Sequence, residues 1–423
     1  MGGRNLMIQR LNVFGIYKGL PKEMYVLFMA RVITAFGTFV VPFLSLFMTA
    51  RLGMSEEIAG FYITLTSIAY IPGSLIGGKL SDRYSKKHVY IGAQALSAFC
   101  ILGVVFAEIP LLKIVLIILS SVFVAASYPA IDALVAEFTV DAQRKSAYSL
   151  MYLGLNLGYS LGSVAAGFLF YQHTDFLFIG DAATTFLSLV ILLVMVKGSL
   201  LLKDDKTIHE NITYRQEETI CKVLFKMPLV LAFSIISTFY AFAYSQYNFS
   251  LPLHLNNLFS ESGSYYYGLL MASNGLCVII LTPFILKLTK KVLPVLNMVL
   301  SGIFYGIGFG LYYLASNLSL CLIATLVWTI GEILYSTNFT VYIVSKSPKE
   351  YRGRLISIST IISHLGLFLG PVIMGGVIPK WGTKYIWLAI LIIMIVSTLA
   401  MLYLYVKEAE KQTLKSEDAQ EGI

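Results

Sequence analysis

Glu332 stands in the run Trp328-Thr-Ile-Gly331-Glu332-Ile-Leu-Tyr335, and no other Asp, Glu, Lys, Arg or His lies between Lys291 and Lys346. A charge in so apolar a stretch is costly and defaults to a functional reading. A lone carboxylate there can take a proton from one side of a barrier and release it on the other. Trp328, Glu332 and Tyr335 fall on one face of a helix, an aromatic-flanked acid that also suits a cationic ligand. The alternative is a carboxyl held by a hydrogen bond to a neighbouring helix. Arg31 and Asp132 form a second constellation: Arg31 lies about eight residues into the first apolar segment and Asp132 about six from the end of the fourth. At 1.5 Å per residue their depths match. They make either a pair that breaks when Asp132 takes a proton or a static pair. Glu137 lies one turn further on. Asp181, early in the sixth apolar segment, reads equally as a packed acid.

Tyr240, Tyr244 and Tyr247 share a helical face in the run Phe239–Asn248, and Gln246 lies beside them. Aromatic residues at this density with amides suit a broad pocket, and equally suit helix packing or an interfacial belt. Asn156 and Asn274 are isolated amides in apolar helices, able to bond a ligand or to tie helices together. Other chemistries lack their residues. There is no Walker A run for ATP, the five histidines are scattered, and no Ser/His/Asp arrangement has motif context. His364 reads as packed. The four cysteines have no spaced partner for a metal or a disulfide framework. The expectation is therefore not an enzyme, with no cofactor and no metal.

These residues need apolar helices to hold them. The chain is 57% hydrophobic and 13% charged, beyond what a soluble core accommodates. Runs of about 20 apolar residues recur, each long enough to cross a bilayer. They give twelve spans: 23–50, 57–79, 88–108, 112–138, 144–172, 177–197, 228–255, 264–287, 292–315, 318–345, 354–379 and 383–406. The fold class expected is an all-α membrane protein of twelve transmembrane helices in two pseudo-symmetric six-helix bundles. Its parts are an N-terminal segment 1–22, bundles 23–197 and 228–406, a linker 198–227 and a charged tail 407–423.

The net charge of +8 points to the membrane rather than to nucleic acid because of where the cations fall. Arg4, Arg10, Lys18, Lys22, Lys79, Arg83, Lys86, Lys87, Arg144 and Lys145 lie on one side. So do the linker cations, Lys287, Lys290, Lys291, Lys346, Lys349, Arg352 and Arg354; the other side has Arg51, Lys113, Lys380 and Lys384. That asymmetry puts both termini in the cytosol. The first long apolar run lacks a small-residue cleavage site and reads as a retained span.

A shift of 208 residues maps Arg144 onto Arg352, Ser149 onto Ser357, Gly158 onto Gly366, Gly162 onto Gly370 and Gly167 onto Gly375. Spans 5 and 11 are thus one element used twice, each with a small-residue stripe on which another helix can pack.

The loop Gly78-Lys-Leu-Ser-Asp82-Arg83-Tyr-Ser85-Lys86-Lys87 joins spans 2 and 3. It resembles the signature loop of the major facilitator superfamily, with Ser85 where a second Gly is usual. Its counterpart at Thr282–Lys291 is degraded, with Leu286 at the place of Asp82. The resemblance covers essentially the whole chain and implies a transporter working by alternating access. It assigns Gly78, Asp82, Arg83, Lys86 and Lys87 to a one-sided latch, and implies a gate role for Glu137, where family members often carry an acid that communicates with this loop, with Arg83 or Lys86 as its partner. The segment from Gly331-Glu332 to Arg354 resembles the twelve-span drug/proton antiporters, in which the matching acid is implicated in coupling. The family's antiporter motif in span 5 has Ser163 in place of Pro, while Gly370-Pro371 and Gly375-Gly376 stand in span 11.

The expected function is proton-coupled efflux of amphipathic, often cationic small molecules. The protein would be a monomer, multi-pass in a prokaryotic plasma membrane, with protons as coupling ion and the bilayer as its solvent. Glu332, Asp132 and Arg31 would couple protons. Trp328, Tyr335, Tyr240, Tyr244, Gln246, Tyr247, Asn156 and Asn274 would line the substrate site. Two alternatives stand: a proton-coupled importer of a peptide or metabolite, and a non-transporting membrane sensor on the same fold. The absence of the peptide transporters' glutamate-rich motif in span 1 argues against the first.

Overall fold

The computed structural model describes residues 17–196, 220–348 and 351–421. Most of the expected linker and N-terminal segment, and the Lys349-Glu350 pair, lie outside these. All regular structure among the described residues is helical. Eleven stretches are long and apolar enough to cross a membrane. The first ten are span 1 (Lys22–Arg51), span 2 (Glu56–Arg83), span 3 (Lys86–Phe106), span 4 (Pro110–Phe138), span 5 (Asp141–Gln172), span 6 (Thr174–Met195), span 7 (Pro228–Phe259), span 8 (Ser262–Thr289), span 9 (Pro294–Leu311) and span 10 (Leu318–Lys346). The last, Arg352–Glu410, is interrupted at Gly382, whose φ of 77° is open to Gly and strained for other residues. It therefore holds spans 11 and 12. Pro110, Pro228 and Pro294 open spans 4, 7 and 9, where the missing N–H costs nothing. Asn317 caps span 10 by accepting from the Leu320 amide at 2.9 Å.

The described residues form two compact units, 17–40 with 65–196 and 41–64 with 220–421. The boundary is not simply the linker. Residues 41–64 join the second unit because they bond and pack there. The Phe43 and Tyr267 rings meet edge to face at 5.1 Å, and Thr64 donates to the Phe368 carbonyl at 2.9 Å. A Cβ on Gly60 would strike the Pro371 backbone, and one on Gly375 the Glu56 backbone.

The repeat is a packing rule applied once in each unit. In the first unit, span 5 lies on span 1 through Gly154, Gly158 and Gly162; a Cβ on Gly158 would sit 2.7 Å from that of Ala35. In the second, span 11 lies on span 7 through Gly366 and Gly370. A Cβ on Gly366 would be 2.8 Å from the Phe242 nitrogen, and one on Gly370 would be 2.8 Å from Gln246 Nε2. Backbones this close exclude any side chain larger than hydrogen.

Spans 1 and 7 also depart from the α-helix at corresponding places. Span 1 breaks at Thr38 (φ −70°, ψ 69°), where the Phe39 amide donates to the Gly37 carbonyl at 2.6 Å. That is an inverse γ-turn. Span 7 ends its first helix at Ser245 and resumes at Ser250. The turn between carries Tyr247 and Asn248.

Candidate functional site

Glu332 is the centre of the second unit's polar site. Half-buried in span 10, it is reached from two other spans: Tyr244 Oη of span 7 donates to Oε1 at 2.8 Å, and Asn274 Nδ2 of span 8 donates to Oε2 at 2.7 Å. Asn274 Nδ2 also donates to Thr329 Oγ1 at 2.9 Å, one turn before the acid. Both carboxylate oxygens are thus partnered, and three helices meet on one ionisable group. Hydrogen bonds to an ionised acceptor are about twice as strong as neutral ones, so the proton state of Glu332 sets how firmly spans 7, 8 and 10 are tied. Thr329 was not among the candidates; its place one turn from the acid was the available signal.

Aromatic rings wall this site. Tyr244 meets Tyr247 at 4.7 Å between centroids, Tyr305 at 6.1 Å and Trp328 at 6.1 Å. Tyr247 stacks on Trp328 at 5.9 Å, and Trp328 on Phe309 at 5.4 Å. Tyr244, Tyr247 and Tyr335 keep part of their surface open, whereas Trp328 is fully buried with its indole N–H donating to Tyr312 Oη at 3.3 Å. Trp328 therefore backs the site rather than facing a ligand. Tyr335 Oη bonds Ser363 Oγ of span 11 at 2.7 Å, fixing the ring on the next turn.

Three of the expected substrate residues make bonds within their own surroundings. Tyr240 is fully buried, donating to the Met298 carbonyl at 3.0 Å and packing on Tyr305 and Tyr335. Gln246 is also fully buried and spent on its own turn. Its Nε2 donates to the Phe242 carbonyl and Ser245 Oγ, and its Oε1 accepts from Ser250 Oγ at 2.6 Å. Asn156, in the first unit, donates to the Tyr152 carbonyl of its own helix at 2.9 Å. Tyr240 and Gln246 satisfy their polar groups locally.

In the first unit the expected Arg31–Asp132 pair is not a contact ion pair. Arg31 places its guanidinium over the Tyr128 ring at 5.8 Å, while Asp132 is exposed. The two remain electrostatic neighbours. Tyr128 stands one turn before Asp132 on span 4 and intercepts the cation.

The signature loop divides its labour. Lys86 Nζ and Glu137 Oε2 are 3.1 Å apart, joining spans 3 and 4. Lys87 donates to the Leu193 carbonyl at 3.3 Å and to the Val196 carbonyl, a cation at the end of span 6. Asp82 and Arg83 are exposed and form no ion pair among the described residues. The close helix approach lies one residue before the expected glycine. A Cβ on Gly78 would meet nothing within 4 Å, whereas one on Gly77 would lie 2.5 Å from the Ala126 Cα of span 4. Gly73 makes the same approach to Val122 one turn earlier.

The sequence profile of the Major Facilitator Superfamily matches residues 27–371 and 298–422. The MFS-type transporter YhjO of Bacillus subtilis (strain 168) is 23% identical over 371 residues, covering 87% of this chain and 89% of that protein. A Na(+), Li(+), K(+)/H(+) antiporter of Planococcus maritimus is 21% identical over 357 residues, covering 79% and 84%. Among solved structures, the nucleoside transporter NupG superposes with a TM-score of 0.76 at 14% identity, covering 91% of this chain and 99% of that one. A peptide transporter of the POT group, in complex with sulfate, gives 0.72 at 15% identity over 93% and 95%. Twelve apolar spans, a repeated small-residue packing rule and these matches lead to one conclusion: the chain is a multi-pass membrane transporter belonging to the major facilitator superfamily.

Proposed function

We propose that this transporter exchanges protons for amphipathic, cationic small molecules, with Glu332 as the coupling acid. The observation that carries the reading is the pair of bonds from Tyr244 and Asn274 to the two Glu332 oxygens. With Glu332 charged, both donors are held and spans 7, 8 and 10 are drawn together. A proton on the carboxyl removes the charge assistance and weakens both bonds. A substrate cation arriving at the same carboxylate competes with that proton, and the partly open Tyr244 and Tyr247 rings offer it π faces, with Trp328 packed behind them. Proton and substrate would therefore alternate at one site, and shape change would carry them in opposite directions. The membrane potential would add about 2.3 kcal/mol per 100 mV for each net charge moved in a cycle, and nothing to a one-for-one exchange of a proton for a monovalent cation. On this reading Lys86 and Glu137 steady the loop whose Asp82 and Arg83 engage at another stage of the cycle. The positive-inside asymmetry supports a plasma membrane protein with both termini in the cytosol.

A second reading has one specific support. The Glu332 carboxylate, Thr329 Oγ1 and Tyr244 Oη gather oxygen atoms of the kind a hard monovalent cation takes. The Planococcus relative is named for exchange of such ions.

One vesicle experiment separates the readings. Sealed vesicles bearing the transporter are loaded with ethidium or with sodium and given a pH gradient. The first reading predicts gradient-driven ethidium movement that Glu332→Gln abolishes by more than tenfold. Sodium movement with ethidium unmoved would favour the second, and gradient-driven ethidium movement unchanged in Glu332→Gln would refute the coupling role.

A further inference from the structure

We propose that the second unit carries its own proton exit: a row of buried waters along one face of span 10, leading from Glu332 to Glu408 at the inner end of span 12. The proposal rests on the reading of Glu332 as the coupling acid. Glu332, Tyr335, Asn338, Tyr342 and Lys346 recur every three or four residues and so fall on one side of the helix. The Lys346 end is the one that the cation asymmetry assigns to the cytosol.

Neighbouring spans hold these rungs in place. Tyr335 Oη bonds Ser363 Oγ of span 11 at 2.7 Å, and Ser363 Oγ donates to the Ser237 carbonyl of span 7 at 3.3 Å. From span 9, Ser301 donates to the Gly331 carbonyl at 2.7 Å, and Asn297, one turn further in, donates to Asn338 Oδ1 at 2.9 Å. At the inner end Lys346 Nζ pairs with Glu408 Oε1 and stands 5.8 Å from the centre of the Tyr342 ring.

These ties leave polar atoms over. Ser237 Oγ, Ser359 Oγ, Asn297 Oδ1, Tyr342 Oη and Glu408 Oε2 are buried with no hydrogen-bond partner among the described residues, five of the nine such side-chain atoms there. They share one zone of the unit. Ser359 stands one turn inward of Ser363, and Tyr342 stacks at 4.0 Å on Phe233, one turn inward of Ser237. Buried polar atoms are costly to leave unpaired, and internal waters bind where several of them gather. The spacing suits single waters: rungs three or four residues apart are about 4.5–6 Å apart along the axis, and two hydrogen bonds through one water span about 5.5 Å. The repeat shows that this is not the general packing rule of the fold. A shift of 208 residues places Val124, Ser127, Ala130, Leu134 and Phe138 of span 4 at the five rungs, apolar but for Ser127.

In such a row a proton leaving Glu332 breaks its carboxyl O–H bond and forms one on the next oxygen. Each later oxygen gains one proton and gives up another. Lys346 occupies Glu408 Oε1, and Oε2 takes the last proton and hands it to cytosolic water. One proton enters and one leaves, while the amides only hold waters in place.

X-ray hydroxyl-radical footprinting of the detergent-solubilised full chain reads bound water, because the radicals form on the waters themselves. Corrected for intrinsic reactivity, Tyr342 (1% exposed) should be oxidised about tenfold faster than Phe309 (0% exposed), which lies among the Trp328 and Trp387 rings. Equal labelling of the two would overturn the proposal, whether or not any variant folds. In proteoliposomes, Tyr342→Phe should slow gradient-driven ethidium accumulation about tenfold, the equivalent of one hydrogen bond lost from the path. It should leave ethidium–ethidium exchange without a gradient at the wild-type rate. Wild-type accumulation would overturn the exit, and so would an equal fall in exchange, which marks a packing defect. Failure of the coupling reading has its own signature, unchanged accumulation in Glu332→Gln with Tyr342 still labelled; the waters then stand and the exit falls.

Discussion

Two hydrogen bonds decide what Glu332 can do, and each can be removed alone. Tyr244→Phe deletes the donor to Oε1 while keeping the ring stacked among Tyr247, Tyr305 and Trp328. It should cost about 1–2 kcal/mol in denaturation of the detergent-solubilised protein, and should slow gradient-driven transport. Tyr240→Phe, four residues earlier, loses only a bond to the Met298 carbonyl. It should cost less than about 1 kcal/mol and leave transport intact. Equal transport loss in the two variants would mean that general packing, not the Glu332 contact, matters. That a carboxyl in so apolar a run must find polar partners was legible in the sequence. The neighbours were not equally legible. Tyr240, Tyr244 and Tyr247 recur at helical spacing, yet only packing against span 9 decides which is sealed in the core. Gln246 looked like a ligand amide because sequence cannot reveal a turn that consumes its own side chains.

At the scale of the helix, glycine positions fix which surfaces touch. Gly77→Val would drive a branched side chain into the Ala126 backbone, whereas Gly78→Ala enters open space. The first should destabilise by about 1–3 kcal/mol. The second should be neutral or stabilising by about 0.5–1 kcal/mol, the usual gain of Ala over Gly inside a helix. The reverse order in thermal unfolding would place the close approach at the signature glycine after all. Span existence and length were legible because about 20 apolar residues in a row leave little choice. The small-residue repeat was legible as well, since spacing by four survives in both halves. The break at Thr38 was not, because a Gly-Thr-Phe sequence is compatible with continuous helix and only the close approach of Gly180 and Thr184 reveals the turn.

In the molecule as a whole, two related units carry unlike acids. The second holds Glu332 among aromatic rings, and the first holds the Lys86–Glu137 pair beside the signature loop. The unit boundary at Val40 was hidden from the sequence because it depends on where residues 41–64 find partners, not on composition. Lys86 and Glu137 remain 38% and 26% exposed, so their pair contributes little stability, about 0.2–1 kcal/mol, and less at high salt. The central claim is that Glu332 converts a proton gradient into substrate movement. Its most direct test uses proteoliposomes of purified Glu332→Gln protein, comparing gradient-driven ethidium accumulation with ethidium–ethidium exchange in the absence of a gradient. The account predicts that accumulation falls to background while exchange persists at a raised half-saturating ethidium concentration, because the shared carboxylate is gone and the aromatic rings and the shape change remain. Accumulation at the wild-type rate would contradict it.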